Sequence, residues 1–192
     1  MIRAVIFDCF GVLLVDAFAA MVIPLRDSNR TLFDEIMALT EASVRGQITP
    51  DEFRQNAAEM LGMDVDEFVQ KEQQGEVKNQ DVLDFAASLR PKLRTAMLSN
   101  IGSAGLEHRF VSGELEKYFD VVVASGDIGF AKPEPQAYEI TAERLSVRAD
   151  ECVMIDDREN YCAGAKAVGM QAICFTSLPQ LKRELDPLLS QS

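Results

Sequence analysis

The chain has 192 residues, 47% of them hydrophobic, which is enough to bury an ordinary core. Its net charge of -12 argues against a nucleic-acid or anionic-membrane partner. Its four cysteines (Cys9, Cys152, Cys162, Cys174) lack metal-ligand spacing, and no stretch has the length of a membrane helix or the pattern of a signal peptide, so the expected location is the cytoplasm.

The first element is an apolar run, Ala4-Val5-Ile6-Phe7, that ends at Asp8 and is followed by Cys9-Phe10-Gly11. A short continuous run of this kind reads as a strand buried on both faces. A carboxylate at its end must be paired or must hold a metal, which favours chemistry over packing.

From Asp16 to Asn79 there is no strong strand pattern. Leu32, Ile36 and Leu39 have helical spacing. Thr49-Pro50-Asp51-Glu52 combines an N-cap, a proline at the first helical position and the acid of a capping box. Phe53, Ala57, Met60 and Leu61 then share a face, and a further helix is expected near Asp64. The polar stretch from Gln70 to Gln80 is the expected linker.

Helical and strand patterns then alternate. Val82, Phe85, Ala86 and Leu89 share a helix face before Pro91. Thr95-Ala96-Met97-Leu98 leads to Ser99-Asn100, and Val121-Val122-Val123-Ala124 leads to Ser125, with Lys132-Pro133 soon after. Ala137, Ile140 and Leu145 form another helix face. Cys152-Val153-Met154-Ile155 ends at Asp156-Asp157, and Ala163, Ala167 and Val168 precede Gly169. The last run, Gln171 to Phe175, ends at Thr176-Ser177. This alternation predicts an α/β fold, a Rossmann-like doubly wound parallel sheet. The expected division is a core of residues 1–15 and 80–192, with a small helical cap of 16–79 inserted after the first strand. Ligands of such sheets bind beyond the carboxyl ends of the strands, where Asp8, Ser99, Lys132, Asp156 and Asp157 would meet. The only histidine, His108, lies in a polar stretch and is read as a surface residue without a role.

The chain resembles the haloacid dehalogenase superfamily, in the branch with a helical cap after the first strand. The resemblance rests on Asp8 in Phe-Asp-Cys-Phe-Gly-Val-Leu, Ser99 in Leu-Ser-Asn, Lys132 in Ala-Lys-Pro-Glu-Pro and Asp156-Asp157 in Met-Ile-Asp-Asp-Arg. They occur in the family's order, and the likeness covers essentially the whole chain. It implies a magnesium-dependent phosphatase acting on a small phosphorylated metabolite through an aspartyl-phosphate. Asp8 would be the nucleophile, with Lys132 beside it. Asp8, the Phe10 carbonyl, Asp156 and Asp157 would hold Mg2+. Ser99, and the backbone near Phe10, Gly11 and Asn100, would bind the phosphate.

Two positions depart from that pattern. Typical phosphatases of the family carry a second Asp two residues after the nucleophile, as general acid and base; here that residue is Phe10. The family's acidic or amide residue four positions after the second Asp of the pair falls on Tyr161, with Asn160 one place early. Two alternatives therefore stay open. One is a 2-haloacid dehalogenase, which carries an aromatic residue at the position of Phe10 but needs no metal and usually has Ser and Asn at the acid pair. The other is a catalytically weak member that binds a ligand or partner.

Overall fold

The computed structural model describes residues 1–107 and 109–190, so His108 lies outside the described residues. Strand β1 (Ala4–Phe7) is followed by a run of helices, α1 (Ala17–Val22), α2 (Leu25–Ser28), α3 (Arg30–Val44), α4 (Pro50–Met60) and α5 (Val65–Gly75). Helix α6 (Gln80–Leu89) leads to β2 (Arg94–Ser99), α7 (Ser103–Glu107), β3 (Val121–Ala124) and α8 (Ser125–Ile128). Then come α9 (Pro135–Arg144), β4 (Cys152–Asp156), α10 (Glu159–Ala167), β5 (Gln171–Cys174) and α11 (Leu178–Ser190).

The strands form one parallel sheet in the order β3-β2-β1-β4-β5, so β1 is central, between β2 and β4. The apolar runs are continuous because helices cover both faces. Val5 and Phe7 point to one side with Met97 and Ile155, under Val82 and Leu83 of α6 and Leu181 and Leu185 of α11. Ala4 and Ile6 point to the other with Leu98 and Met154, under Ala137 and Tyr138 of α9 and Ala165 of α10. This is the doubly wound arrangement expected from the alternating pattern. Helix α11 has no counterpart in the sequence reading, because Pro179 and Pro187 both read as breakers. Pro179 falls in the first turn, where a missing amide leaves no bond unmade.

The insert between β1 and α6 builds a small apolar cluster of its own, with Ala57, Ala58 and Phe68 buried and Phe18 edge-on to Phe53 at 5.3 Å. Helix α4 starts with both bonds of its capping box: the Glu52 amide donates to Thr49 Oγ1 at 3.2 Å, and the Thr49 amide to Glu52 Oε2 at 2.7 Å. The expected linker from Gln70 to Gln80 is corrected at its first half. Helix α5 continues through Gly75, and only Glu76–Asn79 connects it to α6. The stretch reads as a linker because it is polar, yet Glu72 stands one turn after Phe68 and both are buried.

The chain leaves and re-enters the sheet region at adjacent points. Val15 donates to the Val77 carbonyl at 3.0 Å, and Asn79 donates to the Leu13 carbonyl at 2.8 Å. The insert is also pinned at its far end, where Ser125 Oγ donates to the Val44 carbonyl and Arg45 pairs with Glu134 at 3.2 Å. At the opposite edge, Asp120 joins α6, β2 and β3. One of its oxygens accepts from the Thr95 amide at 2.9 Å, and the other accepts from Arg90 at 3.1 Å. No helix among the described residues is long and apolar enough to cross a membrane.

Candidate active site

Asp8, Ser99 and Asp156 stand at or just past the carboxyl ends of the three central strands, and Lys132 reaches them from the loop before α9. Its Nζ donates to Asp8 Oδ1 and to Asp156 Oδ2, both at 2.6 Å. All three side chains are buried: Lys132 is 3% exposed, Asp8 6% and Asp156 0%. The lysine is held by Asn100 in a reciprocal pair, because the Lys132 amide donates to Asn100 Oδ1 and Asn100 Nδ2 donates to the Lys132 carbonyl, each at 2.8 Å. The Lys132–Pro133 peptide is cis. The Asn100 side chain is thus engaged in placing the lysine. The Ser99 hydroxyl is buried and has no hydrogen-bond partner.

Gly11 has φ +84°, and a Cβ there would collide with the Asp157 carboxylate. Its amide donates to the Leu14 carbonyl at 2.7 Å, closing the turn after Asp8. The missing side chain of Gly11 leaves the space that the Asp157 carboxylate occupies. The Tyr161 ring lies 5.1 Å from Lys132 Nζ and 5.6 Å from the Arg158 guanidinium, so an aromatic face borders the cations at the position of the family's acidic or amide residue. Arg158 also pairs with Asp16, the N-cap of α1, at 3.1 Å.

Burial dominates the electrostatics. The Asp8 carboxyl is raised to about 7, by burial first, with Lys132 opposing the rise and Asp156 adding to it. Burial disfavours the charged Lys132, but Asp8 and Asp156 more than compensate and hold its ammonium protonated. Asp157 is also raised, by burial first and then by Asp156, against the pull of Arg158. Oxygen atoms of Asp8, Asp156 and Asp157 lie within 4.8 Å of one another. Three carboxylates against one lysine leave a deficit of positive charge in a poorly hydrated site. The donor set suits a hard divalent cation, and the absent Gly11 side chain keeps the approach to Asp157 open.

Asp8 and Lys132 line a cavity of about 900 Å³, walled by α3, α4 and α5 of the insert and by loops of the sheet. Phe10 is half-buried in it, and the Arg109 guanidinium sits 5.1 Å from its ring. Arg109 pairs with Glu76 at 2.6 Å and Glu72 at 3.5 Å, and Glu72 pairs with Arg54 at 3.5 Å. Burial raises the Glu72 carboxyl, and Arg109 opposes the rise. None of these four residues emerged from the sequence. The signal was there in part, since Glu72 occupies an apolar-face position of α5.

A family model for haloacid dehalogenase-like hydrolases matches residues 2–169. The chain belongs to this family. As a member it is a hydrolase, and its sheet carries the family's fold. A phosphorylated carbohydrates phosphatase of Thermotoga maritima is 32% identical over 93 residues, 48% of this chain and 42% of that protein. The matched stretch therefore spans less than half the length of this relative. Among solved structures, a haloacid dehalogenase family enzyme of Bacteroides thetaiotaomicron, in complex with magnesium and inorganic phosphate, aligns with a TM-score of 0.74 at 22% identity, covering 94% of this chain and 99% of that one. An L-2-haloacid dehalogenase of Xanthobacter autotrophicus aligns at 0.66 and 22% identity, covering 97% and 83%. At these identities the two structures speak to the fold.

Proposed function

We propose that the chain is a magnesium-dependent phosphatase that hydrolyses a small phosphorylated metabolite through a phosphoryl group carried on Asp8. The observation that carries this reading is the grouping of Asp8, Asp156 and Asp157 around Lys132. A dehalogenase of this family needs neither the oxygen-donor set nor a metal. Magnesium held by Asp8, the Phe10 carbonyl, Asp156 and Asp157 would neutralise phosphate charge.

The chain's own residues would do the rest. An Asp8 oxygen attacks phosphorus, the oxygen–phosphorus bond to the leaving group breaks in line, and water later cleaves the acyl phosphate. Lys132 holds Asp8 in place and offsets charge on the transferring group. The unpartnered Ser99 hydroxyl is a donor for a phosphate oxygen. Residues 16–79 act as a cap, since α3, α4 and α5 wall the cavity above Asp8. The match to a phosphorylated carbohydrates phosphatase supports a substrate of that kind.

The dehalogenase reading keeps one observation in its favour, the aromatic ring of Phe10 where a proton donor would stand. A panel of phosphomonoesters and 2-haloacids, assayed with magnesium and with excess chelator, separates the two. Magnesium-dependent phosphate release that disappears in Asp8→Asn is the expected result. Halide release indifferent to chelator would replace this reading by the other.

A further inference from the structure

Five cationic side chains line the cavity, and each is already engaged by a carboxylate. Lys132 is held between Asp8 and Asp156, and Arg158 pairs with Asp16. Arg45 reaches Glu41 at 3.1 Å and Glu134 at 3.2 Å. The two that matter most are Arg54 and Arg109, in the wall facing the phosphate end. Their side chains are only 14% and 10% exposed, and Glu72 and Glu76, each 8% exposed, sit against them. Nine carboxylates line the same cavity against those five cations, so away from Asp8 the wall carries an acidic surplus.

At this wall a second anionic group on the substrate would meet Arg54 and Arg109, of which Arg109 Nε has no partner, and drawing either guanidinium away from Glu72 or Glu76 would leave a carboxylate desolvated and unpaired. That is among the costlier exchanges in a protein interior. It would also lie close to Glu72 and Glu76, and like charges in a partly dry site repel strongly. A neutral alcohol or polyol meets neither penalty, and the cavity is large enough for one of hexose size.

We propose that the substrate is a phosphomonoester whose remaining part carries no negative charge, and that Glu72 and Glu76 impose this by neutralising Arg54 and Arg109. The inference rests on the phosphatase reading and narrows it. It makes Glu72, in the last turn of α5, and Glu76, just past its end, specificity determinants.

The test uses matched pairs that differ by one distal anion: glycerol phosphate against phosphoglycerate, and a hexose monophosphate against the bisphosphate. The full chain with magnesium should favour the neutral member by about tenfold or more in kcat/KM, mostly through KM. Glu72→Gln and Glu76→Gln free the arginines and should each shrink the ratio. Melting curves identify which variants fold, and Glu76, just past the end of the helix, guards against loss of the other. Calorimetric titration of the same pairs into Asp8→Asn should give the same order of affinity without turnover. Equal or better acceptance of the anionic members by the parent overturns the inference and leaves the phosphatase reading standing. So does an unchanged ratio in folded Glu72→Gln and Glu76→Gln. If no member of any pair is hydrolysed, the phosphatase reading falls and the inference falls with it.

Discussion

Phe10 concentrates the chemical question at a single residue. In the proposed reaction, with no proton donor two residues beyond Asp8, an alkoxide leaving group would depart poorly protonated, whereas a phenolate would depart readily. A positioned acid is typically worth about 10²–10⁴ in rate. Phe10→Asp is therefore expected to speed alkyl phosphates more than nitrophenyl phosphate. The gain should lie near the lower end of that range, because Arg109 beside the ring would hold a new carboxyl ionised, leaving little of it protonated to donate to the leaving group. Rates across leaving groups of graded pKa check this; an unchanged slope in a folded variant would show that another group already serves. The residues that carry the proposed chemistry were legible because each ends an apolar run: Asp8, Ser99 and Asp156 lie at such ends, and Asp157 and Lys132 follow. Arg54, Glu72, Glu76 and Arg109 were not, since their pairing exists only once α4, α5 and the loop after α7 are brought together. A charged residue gives no periodic signal of its own unless it occupies an apolar face. The turn partner of the Gly11 amide was not legible for a related reason, because backbone geometry sets it and spacing does not encode it.

Among the elements, those with strong local chemistry were read well and those defined by packing were not. The capping box fixes the start of α4, and continuous apolar runs mark the strands. Helix α11 and the second half of α5 hide behind prolines and polar residues, although tertiary burial makes both helical. Asp120 offers a test of how elements are tied together. Burial raises its carboxyl, but the Thr95 amide and Arg90 outweigh that, and the net shift is downward. A group depressed in the folded state contributes stability above its unfolded pKa and loses it as pH falls through the folded value. The contribution of Asp120 is therefore intact at neutral pH and disappears below its ordinary value of 3.8. Asp120→Asn should lower the melting temperature near pH 7, and the gap to the parent should narrow on acidification. Melting curves between neutral and acid pH decide it; a gap independent of pH would assign the loss to something other than ionisation.

For the molecule as a whole, the clustered acids make stability dependent on cation. Burying Asp8 and Asp156 beside the Asp157 carboxylate, with only Lys132 between the two buried acids, is unfavourable, and an ion that binds only the native state offsets it by mass action, by about 2.7 kcal/mol at 100 times its dissociation constant. Magnesium should raise the melting temperature, and Asp157→Ala should abolish most of the rise; a shift that survives the substitution would place the ion elsewhere. The adjacent crossings at Val15–Val77 and Leu13–Asn79 carry a separate consequence. The apolar clusters on the two faces of the sheet draw no buried member from residues 16–79, and the insert's own cluster draws none from outside that stretch. A chain shortened by joining Val15 to Val77 through a tight turn would keep every strand pairing intact, with its ends already at bonding distance. Such a miniature is expected to fold cooperatively, giving a far-ultraviolet spectrum of mixed helix and strand, while its Asp8 stands open to bulk water. The sheet is thus a self-sufficient plate, and residues 16–79 form a detachable roof whose two chain crossings lie at a single seam.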